Sequence, residues 1–305
     1  MLTAWRHRVE YALVRSGQRA LTLLPLEVAL RVGEAIAWLA YVVDARHRRI
    51  GMTNLAIAFP ERSVRARRRI LRASMLNLGR MVVELAFLPT LSDDDLRRMV
   101  RFEDERWWSE AISAERDSGG MILSGHFGNW ELLIYAHGRR GHPAAMVHRT
   151  LANPHIDRWF NALRARAGTT LIRKSRAAIT ALRTVRRGGL LVLPFDQNSV
   201  RDLGVFVPFF GVPASTNAGL ALIALRTGAP VVPVFLVREG RSARHVVHVL
   251  PFLYAERTGD LAADVVRNTE RFSQIFEDMV RRYPEQWLWV HRRWKTRPPG
   301  EARFY

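Results

Sequence analysis

Apolar positions change their rhythm about a third of the way along the chain. Over the first 90 residues they recur at helical spacing, and from about residue 100 short apolar runs alternate with helical stretches. Runs at 100–103, 121–124, 144–149, 170–173, 190–195, 231–237 and 245–250 predict strands. Stretches 129–137, 154–165, 176–186, 215–226 and 260–282 predict helices. Short apolar strands joined by helices form parallel sheets, because a parallel pair needs a long crossover that covers the sheet's faces. The expected fold is α/β, a mostly parallel central sheet flanked by helices. Residues 1–90 are read as a helical, membrane-associating region and 91–305 as the α/β region. Reactive groups in such sheets collect where strands end and loops begin.

Two amino-terminal stretches refine this picture. Residues 20–43 hold eleven Leu, Ile and Val but also Glu27, Arg31 and Glu34. Three charges near a helix centre outweigh that apolar gain, at about 2.5–3.5 kcal/mol each, so spanning a bilayer is not expected. Their spacing puts the charges on one helical face, with Leu24, Val28, Val32, Ile36, Leu39 and Val43 mainly opposite. That is an amphipathic helix, lying in a membrane interface or packed on the core. The same charges interrupt the apolar core that a secretory signal needs. The second stretch, 63–88, opens with Arg65, Arg67, Arg68, Arg69 and Arg72, turns apolar and stops at Pro89. Such a cluster suits anionic lipid, a solvated face or RNA contact.

Composition narrows the chemistry. Hydrophobic residues make up 48% of 305, which is a globular proportion. Cysteine is absent, which excludes disulfides, a thiolate nucleophile and Cys-held zinc or iron–sulfur clusters. The formal net charge is +19, carried by 45 Arg and only two Lys, Lys174 and Lys295. An excess of that size implies an anionic partner: nucleic acid, membrane or acidic protein.

The sharpest chemical feature is the run from Ile122 to Leu133, which reads ILSGHFGNWELL. A strand enters a Gly-flanked turn carrying His126, and a helix begins with Glu131 in its first turn. The carboxylate is expected to reach back to the ring, holding one nitrogen as N–H and leaving the other free to take a proton from an alcohol. No G-x-S-x-G elbow is present, so direct attack of the activated hydroxyl on a thioester is favoured over a covalent acyl-enzyme. The next histidine, His137, falls six residues beyond Glu131, which is not a zinc-ligand spacing, and no catalytic metal or cofactor is expected.

The run GHFGNWEL resembles the signature of the bacterial lipid A late acyltransferases, relatives of the glycerol-phosphate acyltransferases. Asn54 to Glu61 (NLAIAFPE), Val147-His148-Arg149 with Asn153-Pro154 and Asp157, Asp196-Gln197, Val207 to Gly211 (VPFFG), Thr216 with Gly219, and Thr227 to Pro233 (TGAPVVP) follow that family's order over residues 50–240. The resemblance implies an α/β/α acyltransferase fold, His126 as general base and Glu131 as its partner. It also implies substrate contacts from Arg149, Arg164, Arg166, Asp196, Gln197 and Thr216, with Arg149 meeting a phosphate. Surface charge is the competing reading for the three arginines. Asn54 and Glu61 are read as capping the turn before the helix at Ser63. Trp287, Trp289 and Trp294 either close the core or sit at a lipid interface. The partners implied are an acyl-carrier protein or acyl-CoA donor, an anionic glycolipid acceptor and a membrane surface, at the cytoplasmic face of a bacterial inner membrane. No RNP-like motif, zinc finger or recognition helix accompanies the charge, so nucleic acid is not expected.

Overall fold

Seven strands form one sheet in the computed structural model, which describes residues 2–104, 106, 109–110, 119–173 and 177–305. They are β1 (Val100–Phe102), β2 (Gly120–Ser124), β3 (Ala144–His148), β4 (Thr170–Arg173), β5 (Leu190–Pro194), β8 (Val231–Arg238) and β9 (His245–Val249). A separate hairpin supplies β6 (Gly204–Phe209) and β7 (Val212–Asn217). The spatial order is β1-β9-β8-β2-β5-β3-β4. From β8 to β4 every pairing is parallel, while β9 runs antiparallel to β8 and parallel to β1. This is the mostly parallel sheet expected from the apolar runs. Its central strands carry almost no polar positions because both faces are covered: β2 is buried at all five positions and β8 at all eight.

Among the described residues the α-helices are α1 (Leu2–Thr22), α2 (Leu26–Val43), α3 (Ala45–Ala58), α4 (Val64–Phe87), α5 (Asp93–Met99), α6 (Trp130–Arg139), α7 (Pro154–Ala165), α8 (Ala177–Arg186), α9 (Gly219–Thr227) and α10 (Leu261–Arg282). Ile122, Val192 and Val232 point to one face, where α2, α4, α6 and α7 contribute Leu30, Val83, Leu132 and Leu163. Met121, Leu123 and Leu191 point to the other, against Ala181 of α8, Leu220 of α9 and Phe276 of α10. Trp287, Trp289 and Trp294 are buried in that second layer, so the aromatic tail closes the core and does not lie at a surface.

Three expectations are corrected. Residues 20–43 are not one helix, because Pro25 starts a new one and the chain turns at Leu23 and Leu24 between α1 and α2. Residues 215–217 belong to β7, and the helix expected there starts only at Gly219. The hairpin around Phe210 and Gly211 escaped the sequence pattern because Pro208 and Pro213 sit opposite each other in it, and proline reads as a strand breaker. Arg176, expected to open α8, lies outside the described residues.

α2 is packed with its apolar side outward. Its buried residues are Ala29, Leu30, Gly33, Glu34 and Ala37, whereas Leu24, Val28, Val32, Ile36, Leu39 and Val43 are all exposed. The reason is a tight crossing with α4. A Cβ built on Gly33 would lie 2.7 Å from the Gly79 carbonyl oxygen, and one on Gly79 would lie 2.4 Å from that of Gly33. Only small residues fit that seam. Of the three charges on the helix Glu34 alone is buried, where it accepts hydrogen bonds from Arg80 and Arg241. Burial opposes its charge, but the two guanidinium groups outweigh that and hold its pKa below the ordinary value. Among the described residues no helix is long and apolar enough to cross a membrane.

Candidate active site

The loops after β2, β3 and β5 leave the same end of the sheet, because these strands are parallel. His126 stands in the first loop and Asp196 in the third, 70 residues apart in sequence and in contact in space. His126 Nδ1 lies 3.0 Å from Asp196 Oδ1, and the Trp287 indole N–H donates to the other carboxylate oxygen at 2.9 Å. On the far side of the ring, the Gln197 amide nitrogen lies 3.2 Å from His126 Nε2. A carboxylate only accepts, so Nδ1 carries the hydrogen and Nε2 presents its lone pair to the Gln197 amide. The Trp130 ring meets the imidazole edge-on at 4.8 Å between centroids.

Charge matches this geometry. Burial disfavours the charged imidazole, but the charge and hydrogen bond of Asp196, helped by the charge of Glu131, outweigh it and raise the His126 pKa above its ordinary value. Burial likewise opposes ionisation of Asp196, yet His126 and the Trp287 N–H bring its pKa down to about 2. The result is a strengthened base with an ionised carboxylate behind it.

The motif spacing pointed to Glu131 for that place. Glu131 does not touch the His126 ring: its two oxygens are held by the guanidinium fork of Arg164 at 3.0 and 2.5 Å. It sits in the first turn of α6, and Asp196 fills the position against Nδ1. Arg164 in turn covers the Phe160 ring at 4.3 Å. The structure thus brings His126, Asp196 and Gln197 together and sets Glu131 with Arg164 beside them. Arg149 is exposed, directly after β3 at the same end of the sheet, and Arg166 is exposed at the end of α7. Thr216 is wholly buried, and its hydroxyl accepts from Arg293 at 2.6 Å while donating to the Ala214 carbonyl. Asn54 does not cap the turn before α4, which Ser63 does; its amide donates to the Trp289 and His291 carbonyls and ties the carboxyl-terminal tail to α3. Glu61 is exposed and pairs with Arg62.

A second, fully buried network fixes the loop of His126. Glu84 of α4 takes both guanidinium branches of Arg238, the Asn129 amide at 2.7 Å and His245 Nε2 at 3.0 Å. Asn129 caps α6 through the Leu132 N–H at 3.0 Å. The Gln286 carbonyl accepts from the Gly128 N–H at 2.8 Å, and the Gln286 side chain reaches Asn77 and Arg238. Gly128 has φ +56, and a Cβ there would fall 1.7 Å from the Leu236 carbonyl oxygen, so only glycine fits. Gly125 is also crowded, because a Cβ would lie 2.5 Å from Asp196 Oδ1. Glu84 escaped the sequence reading because it sits inside the apolar run MVVELAFL, and its partner Arg238 is 154 residues away. Among the described residues, no group of three His, Asp or Glu side chains is placed to hold a metal.

The family model described as bacterial lipid A biosynthesis acyltransferase matches residues 2–296. The chain is similar to the lipid A biosynthesis palmitoleoyltransferase of Escherichia coli, 27% identical with 92% of this chain and 90% of that one covered. It is also similar to the lipid A biosynthesis lauroyltransferase of the same organism, 29% identical over the same shares. Among solved structures, the 1-acyl-sn-glycerophosphate acyltransferase of Thermotoga maritima matches at a TM-score of 0.41 and 13% identity, covering 85% of this chain and 99% of that one. With a family match over nearly its whole length, the chain belongs to the bacterial lipid A biosynthesis acyltransferase family and is an acyltransferase.

Proposed function

We propose that the enzyme transfers a fatty acyl chain from the thioester of an acyl-carrier protein or of coenzyme A to a hydroxyl of a lipid A precursor, at the cytoplasmic face of the bacterial inner membrane. The observation that carries this reading is His126, with Nδ1 held by Asp196 and Nε2 facing an amide that an alcohol can displace. The acceptor hydroxyl takes the place of Gln197 at Nε2 and loses its proton to it as the oxygen attacks the thioester carbonyl. The thiolate leaves, and the proton on Nε2 returns to it. Asp196 holds the ring in one tautomer and balances the imidazolium that forms. Glu131 adds negative charge near the ring and fixes Arg164.

Membrane contact is assigned to the outward apolar face of α2, which adjoins α1 with Trp5 and Leu13 also exposed. The basic first turns of α4, with Arg65, Arg68, Arg69 and Arg72 exposed, add attraction for anionic lipid at about 1 kcal/mol per Arg. Mass spectrometry of total lipids tests the acceptor. Deletion of the gene should remove one acyl chain from lipid A, and restoring the wild-type enzyme, but not His126→Ala, should return it. Loss of a chain from another lipid, with lipid A intact, would reassign the acceptor.

Arg149 is assigned to a phosphate of the substrate, present before and during transfer. Arg149→Ala should therefore act on binding, raising KM roughly 10- to 150-fold, the scale of a charge-assisted contact of about 1.5–3 kcal/mol, with kcat changed much less. Arg149→Lys should recover only part, since a point charge cannot reproduce the fork. Steady-state kinetics at saturating acceptor decide it. An equal fall in kcat would move Arg149 to transition-state stabilisation.

A further inference from the structure

Between residues 158 and 195 the chain carries nine Arg and Lys and no Asp or Glu. This stretch contains β4, one of the two edge strands of the sheet, and α8, which covers the end of one face. α8 buries Ala181 and Val185 against the core and turns Ile179, Arg183 and Arg186 outward, with Arg187 exposed just beyond its end. Ile179 is 65% exposed, an apolar side chain one turn before the arginines. Arg173 is exposed at the end of β4, in register with His148, the residue before Arg149. None of Arg173, Arg183, Arg186 and Arg187 has a carboxylate partner among the described residues.

Position decides what this face fits. α8 packs on the sheet face of Met121 and Leu123, whereas the first half of α2 packs, through Leu26, Ala29 and Leu30, on the face of Ile122, so the sheet stands between the basic helix and that half of the outward apolar helix. A bilayer touching α2 does not lie against α8. A base-stacking partner would want aromatic side chains among the cations, and the outward positions of α8 have none. A basic helix face with an exposed isoleucine one turn before its arginines matches an acidic protein surface. The edge is also close to the chemistry. β4 and β2 are three strand spacings apart, about 14 Å. A thioester presented on a flexible arm from this edge spans that gap.

We propose that α8 and the β4 edge dock the acidic carrier protein that delivers the acyl thioester. This rests on the acyl-transfer reading and names its donor's docking surface. The test compares two donors with one detergent-dispersed acceptor: acyl-carrier protein, and acyl-pantetheine, which has the arm and thioester without the protein. The variant Arg183→Glu/Arg186→Glu/Arg187→Glu should lose at least about tenfold in kcat/KM with the carrier protein, within the range of electrostatic steering, through KM. With acyl-pantetheine it should match wild type. The Gln triple variant should lose less, in the same direction, and circular dichroism should show both folded. Binding to anionic vesicles should stay as in wild type, while Ile36→Asp/Leu39→Asp on α2 should weaken it. Equal losses with both donors, or none with the carrier protein, would overturn the proposal. So would lost vesicle binding with carrier turnover intact, which would hand the face to the bilayer. Failure of the reading beneath it looks different, because wild type would then transfer from neither donor.

Discussion

His126→Ala should lower kcat by about 10²–10⁴-fold while the protein stays folded, because a positioned base is lost. Asp196→Asn should come close to it. The amide can present its nitrogen to Nδ1 and force the hydrogen onto Nε2, where the lone pair is needed. The pH profile separates the two effects. His126 works unprotonated, and its raised pKa means activity is lost as pH falls through that raised value. Removing the Asp196 charge should slide the acid limb of kcat toward lower pH while the plateau drops. Glu131→Gln should fall less than Asp196→Asn, because Glu131 holds Arg164 and reaches His126 only through its field. The reverse order of severity would return the orienting role to Glu131.

The largest effect on stability should come from Glu84→Ala. It strands the Arg238 guanidinium, 1% exposed, with no carboxylate, and breaking a buried pair on one side costs about 3–5 kcal/mol. That is a large share of a domain's usual 5–15 kcal/mol. Replacing both partners, Glu84→Met with Arg238→Met, should recover much of the loss, and a double-mutant cycle in urea gives the coupling directly. Acid adds a second readout. Burial raises the Glu84 pKa, but His245 and Arg238 more than offset this and hold it at about 2, against 4.5 ordinarily. Its contribution is therefore complete above about pH 4.5 and is lost as pH falls toward 2. Glu84→Gln should flatten stability across that window. A midpoint shift below about 1 kcal/mol for Glu84→Ala would mean that water reaches Arg238 and the network is not closed.

The strands were legible because fully buried parallel strands leave uninterrupted runs such as MILS at 121–124 and VVPVFLV at 231–237. His126 was legible for a local reason: strand, glycine turn and helix start are all encoded within a dozen residues. Its carboxylate was not. Glu131 is nearby in sequence and chemically suitable, whereas Asp196 reaches His126 only because β2 and β5 are neighbours in the sheet. Strand order is written in no local pattern. The same holds for Glu84 with Arg238, and for Thr216, whose place in a motif gives no sign that Arg293 occupies its hydroxyl.

The crossing of Gly33 and Gly79 has a practical consequence for handling the protein. Turning α2 on its axis to hide its outer residues would drive Val32 or Ile36 into a seam that has no room for a Cβ at Gly33. The oily side is thus locked outward in every state that keeps the crossing. In buffer, purified protein has only detergent, lipid or another copy of itself with which to cover that side. Apparent size in solution should then follow the surfactant supplied, so a mass measured by gel filtration reports the bath as much as the molecule.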